Sequence, residues 1–140
     1  MSKGEEKILT ILRREARIWH IKNIQREVCF KGLNYKGSPL RFDFSFESPK
    51  GLVLLEVDGP QHYEYNKFFH KKISTFKHMQ ENDRRKNRYA LLNNIPLFRI
   101  PYWDIDDMES LPDILRPQYR VKTKFHNDEL IIERKRNGKS

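Results

Sequence analysis

Apolar residues at the start of the chain recur at helical spacing. Ile8, Ile11, Leu12, Ala16 and Trp19 fall on one face, which predicts an amphipathic helix over residues 3–19. Ser2 and Glu5 stand three apart, the spacing of a capping box, and mark its first turn. From Ile24 to Tyr35 the pattern shifts to Val28, Phe30, Leu33 and Tyr35 with Gly32 among them, a strand or an irregular hairpin arm. Lys36-Gly37-Ser38-Pro39 reads as a turn. Leu40 to Phe46 alternates strictly, so Phe42, Phe44 and Phe46 are expected on one face and Arg41, Asp43 and Ser45 on the other. After a second turn at Ser48-Pro49-Lys50-Gly51, Leu52 to Asp58 is the apolar run of a central strand. Glu56 and Asp58 interrupt that run, two apart and so on one face, and Gly59-Pro60 ends it.

A second long helix is predicted over residues 73–94, with Ile73, Phe76, Met79, Ala90 and Leu91 as its apolar stripe and Asn93-Asn94 closing it. Residues 95–102 read as a short strand. Pro96 at its second position puts the strand's start there or its place near an edge. A weaker helix is expected over 106–115, against the grain of Pro112, and another short one over 128–136. Neither an internal repeat nor a low-complexity tract is present. Helix, three strands, helix, strand is the order of an α/β fold, a mixed sheet flanked by helices. Residues 1–115 are expected to form the domain, with a basic tail over 116–140.

Charge narrows the function classes. The 140 residues, enough for one domain, carry 28 Lys and Arg against 19 Asp and Glu, a net charge of +9. The excess is uneven. Residues 64–94 hold 8 basic and 3 acidic groups, residues 116–140 hold 8 and 3, and residues 28–63 hold 4 of each. Basic segments flanking a neutral middle are the footprint of a polyanion binder, nucleic acid above all, although a solvated surface would read the same way. The single cysteine, Cys29, excludes an internal disulfide and a Cys-rich zinc site. No apolar stretch is long enough to cross a bilayer and the first residues lack a signal core, so a cytoplasmic protein with no membrane partner is expected. The absence of a Gly-rich phosphate loop disfavours an enzyme of small metabolites.

The acids of the middle strands then stand out. If the strands bearing Asp43 and Glu56–Asp58 are neighbours, three carboxylates converge, and like charges so placed need a cation or a proton to neutralise them. Hard divalent cations, Mg²⁺ above all, take carboxylate oxygens and keep positions for water and phosphate. The plainer alternative is that each acid is salt-bridged to Arg41 or Arg99 or lies at an exposed strand end. His62 follows the carboxylate strand closely enough to act as general acid or base, or else packs in a loop with Tyr63 and Tyr65. Asp83 falls on the inward face of its helix, where it would reach His62 or a metal, or pair with Arg99. Glu5 and Glu15 both lie on the apolar side of the first helix, and Glu5 also suits the capping box alone.

Arg41-Phe42-Asp43-Phe44, Glu56-Val57-Asp58-Gly59-Pro60-Gln61-His62, Asp83-Arg84-Arg85-Lys86-Asn87 and Leu97-Phe98-Arg99-Ile100 together resemble the PD-(D/E)XK nuclease superfamily. The most similar branch is that of very short patch repair endonucleases and phage homing endonucleases with a Glu–Asp–His–Asp signature. The resemblance spans about residues 4–102 and implies a restriction-endonuclease-like αβββαβ core and hydrolysis of DNA phosphodiesters with Mg²⁺, for which Mn²⁺ substitutes. It implies Asp43, Glu56 and Asp58 as metal ligands, with the Val57 carbonyl a further one. It also makes His62 the general acid or base, Asp83 the last signature acid and Glu5, in preference to Glu15, the first-helix acid. Asp58 departs from the pattern, for the superfamily usually has lysine there, and Gln61 or His62 is left to take that part. A phage or viral source fits the branch.

Lys71, Lys72, Lys77, Arg84, Arg85, Lys86 and Arg88, on and before the second helix, are the expected phosphate contacts. Tyr63, Tyr65, Phe68 and Phe69 either stack on bases or pack internally. No sequence-reading module is visible, which leaves structure-selective or partner-directed cutting as open as site-specific cutting, by a homodimer or with a partner that supplies specificity. Two other readings stand beside the DNA endonuclease: an inactive nuclease-fold DNA-binding module and an RNA endonuclease.

Overall fold

In the computed structural model, which describes residues 1–63, 73–126 and 129–133, α1 (Lys3–Glu15) begins with the expected capping box. The Ser2 hydroxyl accepts from the Glu5 N–H at 3.1 Å, and the Glu5 carboxylate accepts from the Ser2 N–H at 2.9 Å. The helix ends at Glu15, short of the predicted Trp19. Residues 16–20 turn instead through His20, which has a positive φ of 54°, because the chain must reverse to enter the sheet. Trp19 is left 45% exposed, its indole N–H donating to Glu15.

β1 (Lys22–Tyr35) and β2 (Ser38–Ser48) pair antiparallel across Lys36-Gly37, whose φ angles of 50° and 81° are both positive, as the tightest hairpin turn requires. β2 pairs antiparallel with β3 (Gly51–Asp58) from Ser48↔Gly51 to Phe44↔Leu55. α2 (Ile73–Leu92) then crosses over to β4 (Leu97–Pro101), which lies parallel to β3. The sheet order is β1-β2-β3-β4. The fold is therefore a mixed α/β sheet flanked by helices in the order αβββαβ, with β3 central and β4, beginning one residue after Pro96, at an edge.

Two apolar clusters hold the layers together. On one face Ile8, Leu9, Ile11 and Leu12 of α1 pack on Phe44, Phe46, Leu55 and Ile100. On the other, Phe42, Leu54, Leu97 and Ala90 form a smaller cluster beneath α2. The three phenylalanines therefore do not share one face as their alternation predicts: Phe42 belongs to the α2 side. The change falls at Asp43, where β2 leaves β3, and Glu27, the residue facing Asp43 on β1, has a positive φ of 52°. The apolar stripe expected on α2 holds at Ala90 and Leu91 and fails at Ile73. The buried residues of the helix are Asp83, Asn87 and Ala90, while Ile73 is 58% exposed, because the strands beneath it present buried polar groups of their own.

Past β4 the predicted helix over 106–115 is split into a 3-10 segment, Tyr102–Asp107, and a one-turn α3 (Leu111–Ile114). Pro112 sits in that first turn, where its missing N–H costs nothing. The domain does not stop at residue 115. Tyr119 and Val121 are buried in the two clusters, and the Val121 N–H donates to the Leu97 carbonyl at 2.9 Å. Instead of the short helix expected over 128–136, β5 (Lys122–His126) and β6 (Glu129–Glu133) form an antiparallel hairpin, a better home for the β-branched Ile131-Ile132 pair.

Phe46 is fully buried between α1 and the sheet. Phe46→Ala is expected to cost about 3–5 kcal/mol of unfolding free energy, read from urea midpoints. Ile73→Ala on exposed α2 surface is expected to stay within about 0.5 kcal/mol. Equal effects of the two would contradict the layering described.

Candidate active site

The β2–β3 ladder has its last rung at Phe44↔Leu55. Just beyond it side chains take over the bonding. The Asp43 N–H donates to Glu56 Oε1 at 3.1 Å, and the Val57 N–H donates to Asp43 Oδ2 at 2.7 Å. Two carboxylates thus meet where the strands separate. Burial, and next the adjacent charge of Glu56, push the Asp43 carboxyl up to about 8, against the pull of the Val57 N–H. Glu5 adds to the same repulsion, so the first-helix acid serves as cap to α1 and also acts on Asp43. Glu15 does not: it accepts from the Trp19 indole and the Leu111 N–H, both at 2.9 Å.

Lys86 stands beside this pair. Its ammonium lies 3.2 Å from Glu56 Oε1 and 3.0 Å from the Arg41 carbonyl, with the side chain only 12% exposed. The expectation that Lys86 is a surface phosphate contact is therefore corrected: it turns inward to the second acid. A signal was present in the sequence, because Lys86 is three residues from Asp83, on a side of α2 that already bears an inward acid.

Asp58 pairs with a cation on β4. Fully buried, it accepts from Arg99 Nη1 at 2.9 Å. Arg99 also donates to Asn87 Oδ1 at 2.6 Å and to the Asp83 carbonyl at 3.3 Å, and its second Nη lies 3.4 Å from Asp83 Oδ1. For Asp58 the salt bridge to Arg99 thus replaces the expected convergence with Asp43 and Glu56. Among the described residues no group of three or more His, Cys, Asp or Glu is placed to hold a metal ion. The two-acid pair still suits one type of ion, since Mg²⁺ is commonly held by one or two carboxylates and completes its shell with water and phosphate oxygens. Asp43's proton affinity is raised first by burial and then by the charge of Glu56, and a cation there would offset the second.

His62, in the 3-10 turn Pro60–His62 after β3, has Nδ1 2.7 Å from Asp83 Oδ2 and 3.7 Å from Asp58 Oδ1. Asp83 thus reaches His62 and Arg99 together. Burial alone would raise the Asp83 carboxyl, but the Arg99 charge and the His62 bond outweigh it and hold it well below the usual carboxylate range. For His62 burial works downward, and the Asp83 hydrogen bond with the charges of Asp58 and Asp83 overcomes it, leaving the imidazole raised above its ordinary value. With Nδ1 committed to Asp83, Nε2 is the nitrogen left to take or give a proton.

Of the other expected phosphate contacts, Lys77, Arg84, Arg85 and Arg88 are exposed on α2. Arg84 and Arg85 both bond Glu81, and Arg85 lies over the Tyr35 ring at 4.6 Å. Lys71, Lys72, Tyr65, Phe68 and Phe69 lie outside the described residues. Beside the acids, a cleft of about 450 Å³ runs between the start of α1 and the ends of β3 and β4, bordered by Glu5, Val57, Gly59, Gln61 and Tyr102. No described helix is long and apolar enough to cross a membrane.

No protein-family model matches the chain, and no solved structure matches it. It is similar to the uncharacterized protein 307L of Invertebrate iridescent virus 6, with 32% identity over 82 residues, or 59% of this chain. The match covers 42% of that viral protein's length.

Asp83→Asn removes the charge that holds up the His62 pKa, and burial then acts unopposed by it. The His62 titration, followed by imidazole NMR, is expected to move down; an unchanged midpoint would contradict the pairing. Wild-type His62, its folded pKa raised, contributes stability that is full below about pH 6.5 and is lost as pH rises through the folded value. Asp43 carries the same sign for a different reason. A carboxyl whose folded pKa is raised to about 8 binds its proton more tightly folded than unfolded, so stability falls as pH climbs from its ordinary value through that point. Asp43→Asn keeps an acceptor for Val57 and cannot ionise. Its melting temperature, without divalent cations, is expected to exceed wild type by a few degrees, with the gap widening from about pH 5 to about pH 9. A constant gap would contradict the charge conflict.

Proposed function

We propose that the chain is a Mg²⁺-dependent endonuclease domain that hydrolyses DNA phosphodiester bonds. The observation that carries this reading is the Asp43–Glu56 pair at the splayed end of β2 and β3, with Lys86 at the second acid. The αβββαβ order and the resemblance of its four short motifs to PD-(D/E)XK nucleases support it. So does the net charge of +9, which suits a polyanionic substrate. Asp43 and Glu56 would hold the ion, which supplies a polarised phosphodiester and a water of lowered pKa. Lys86 fixes a positive charge next to Glu56, the service a lysine performs in the superfamily at the position where Asp58 stands here. His62, oriented by Asp83, carries the proton to or from the reacting oxygens. Asp58 then acts on His62 and Arg99 rather than as a ligand. The exposed cations of α2 would meet phosphates without reading sequence.

One observation favours a second reading, a DNA-binding module of the same fold without chemistry. Asp58 is locked to Arg99, and the described residues offer no metal cluster of three acids. Cleavage of supercoiled plasmid and labelled single-stranded DNA, with Mg²⁺, Mn²⁺ or EDTA, decides between them, and a labelled RNA in the same assay tests an RNA endonuclease. Wild type is expected to nick or linearise DNA only with the metal. Asp43→Ala and Lys86→Ala are each expected to lower the rate by at least about a hundredfold, the scale of losing one charge-stabilising group. Salt-sensitive binding with no product from any of the proteins would favour the module instead.

A further inference from the structure

Tyr102 is the first residue after β4, and the parallel pairing sets Asp58 against Pro101, so the chain leaves β3 and β4 side by side. Ligands of parallel strands gather at such carboxyl ends. Tyr102 is a large aromatic that the core does not take up: it is 42% exposed. It packs edge-on against Trp103 at 5.1 Å between ring centroids, and Tyr63 lies 6.3 Å from Tyr102 and 4.8 Å from Trp103. Three rings from two segments thus back one another, which holds the exposed ring in place at little further cost in side-chain freedom.

The ring borders the cleft of about 450 Å³, within the range of sites that hold small organic groups. The lining is balanced in charge, with Lys3 and Lys7 against Glu5 and Asp106, and Lys7 already donates to the Asp106 carbonyl at 2.6 Å. A balanced lining does not favour a phosphate. With Val57, Ile105 and Tyr102 in one lining with Gln61, it suits a flat, neutral ring with polar edges. Val57 joins this cleft to the acids, for its side chain lines the cleft while its N–H holds Asp43 at 2.7 Å.

We infer that the cleft at Tyr102 receives an unpaired base beside the Asp43–Glu56 pair, so that the DNA bound best is one with a displaced or single-stranded nucleotide there. This rests on the DNA-binding part of the proposed function, not on its chemistry. A base inside an intact duplex cannot enter such a cleft without being unstacked, whereas a flap or gap presents one at no such cost. Stacking on a single aromatic is strong enough to set a preference without reading sequence.

Binding in EDTA tests this apart from chemistry. Wild type, Tyr102→Ala and Tyr102→Trp, each with its melting temperature checked, are titrated with a perfect duplex and with a nicked duplex bearing a short flap. A fluorescent adenine analogue stands at the base of the flap. Wild type is expected to prefer the flap by about tenfold and to quench the analogue. Tyr102→Ala should lose both the preference and the quenching while binding the perfect duplex as before, and Tyr102→Trp should keep both. Equal binding of the two DNAs by wild type, an undiminished preference in Tyr102→Ala, or no DNA binding at all overturns the inference. Flap preference and quenching without cleavage in Mg²⁺ would leave it standing and overturn only the nuclease reading.

Discussion

Arg99 is the buried cation on which the α2 side of the molecule depends. Bare carboxylates cannot be carried into an interior unless paired and hydrogen-bonded. Here one guanidinium, 4% exposed, meets Asp58 on the neighbouring strand and Asp83 and Asn87 on α2. Its planar fork of donors allows one residue to engage β3 and successive turns of a helix at once. The Coulombic pull of both acids keeps Arg99 charged against the cost of its burial. Because α2 is seated by this polar pairing as well as by Ala90, its inner face can also deliver Lys86 to Glu56. His62 is held at Asp83 by the same arrangement.

The other centre arises from the opposite circumstance, an acid without enough compensation. Asp43 and Glu56 face each other where the backbone ladder gives out, with Lys86 on the Glu56 side. The fold tolerates the pair by keeping the Asp43 carboxyl protonated over much of the neutral range. A site of that kind stores repulsion that a divalent ion or a proton relieves. Two halves thus adjoin along β3, a network around Arg99 that positions His62 and an acid pair held by Lys86 and by the raised proton affinity of Asp43, where we propose that a divalent ion binds.

Much of the fold was legible because period and turn chemistry were unambiguous. The capping box at Ser2, the Lys36-Gly37 turn, the apolar run of β3 and the Pro96 boundary each rest on local rules. The misses have tertiary causes. Alternation put Phe42, Phe44 and Phe46 on one face, but the break at Asp43, with Glu27 left-handed opposite it, moves Phe42 to the other. Ile73 counted as core by spacing, whereas the buried face of α2 runs through Asp83 and Asn87 to Ala90, with Arg99 beneath the first two. Tyr119 and Val121 looked like tail since nothing local marks where a chain will fold back. In the site, the inward Asp83 and its reach to His62 and Arg99 were legible from helical phase. Lys86 stood among like charges, and only its helical phase with Asp83 sets it apart from Arg85 and Arg88. The fate of Asp58 turned on the reach of Arg99, which the register sets opposite Glu56 and which bonds Asp58 two residues along.

The central claim is that Asp43 and Glu56 form a divalent-cation site. A crystal of the wild-type chain soaked in Mn²⁺ and measured at the manganese absorption edge tests it directly. The account predicts an anomalous peak between the two carboxylates, absent from a crystal of Asp43→Asn treated in the same way. No peak at that place, or one that persists in the variant, would contradict it.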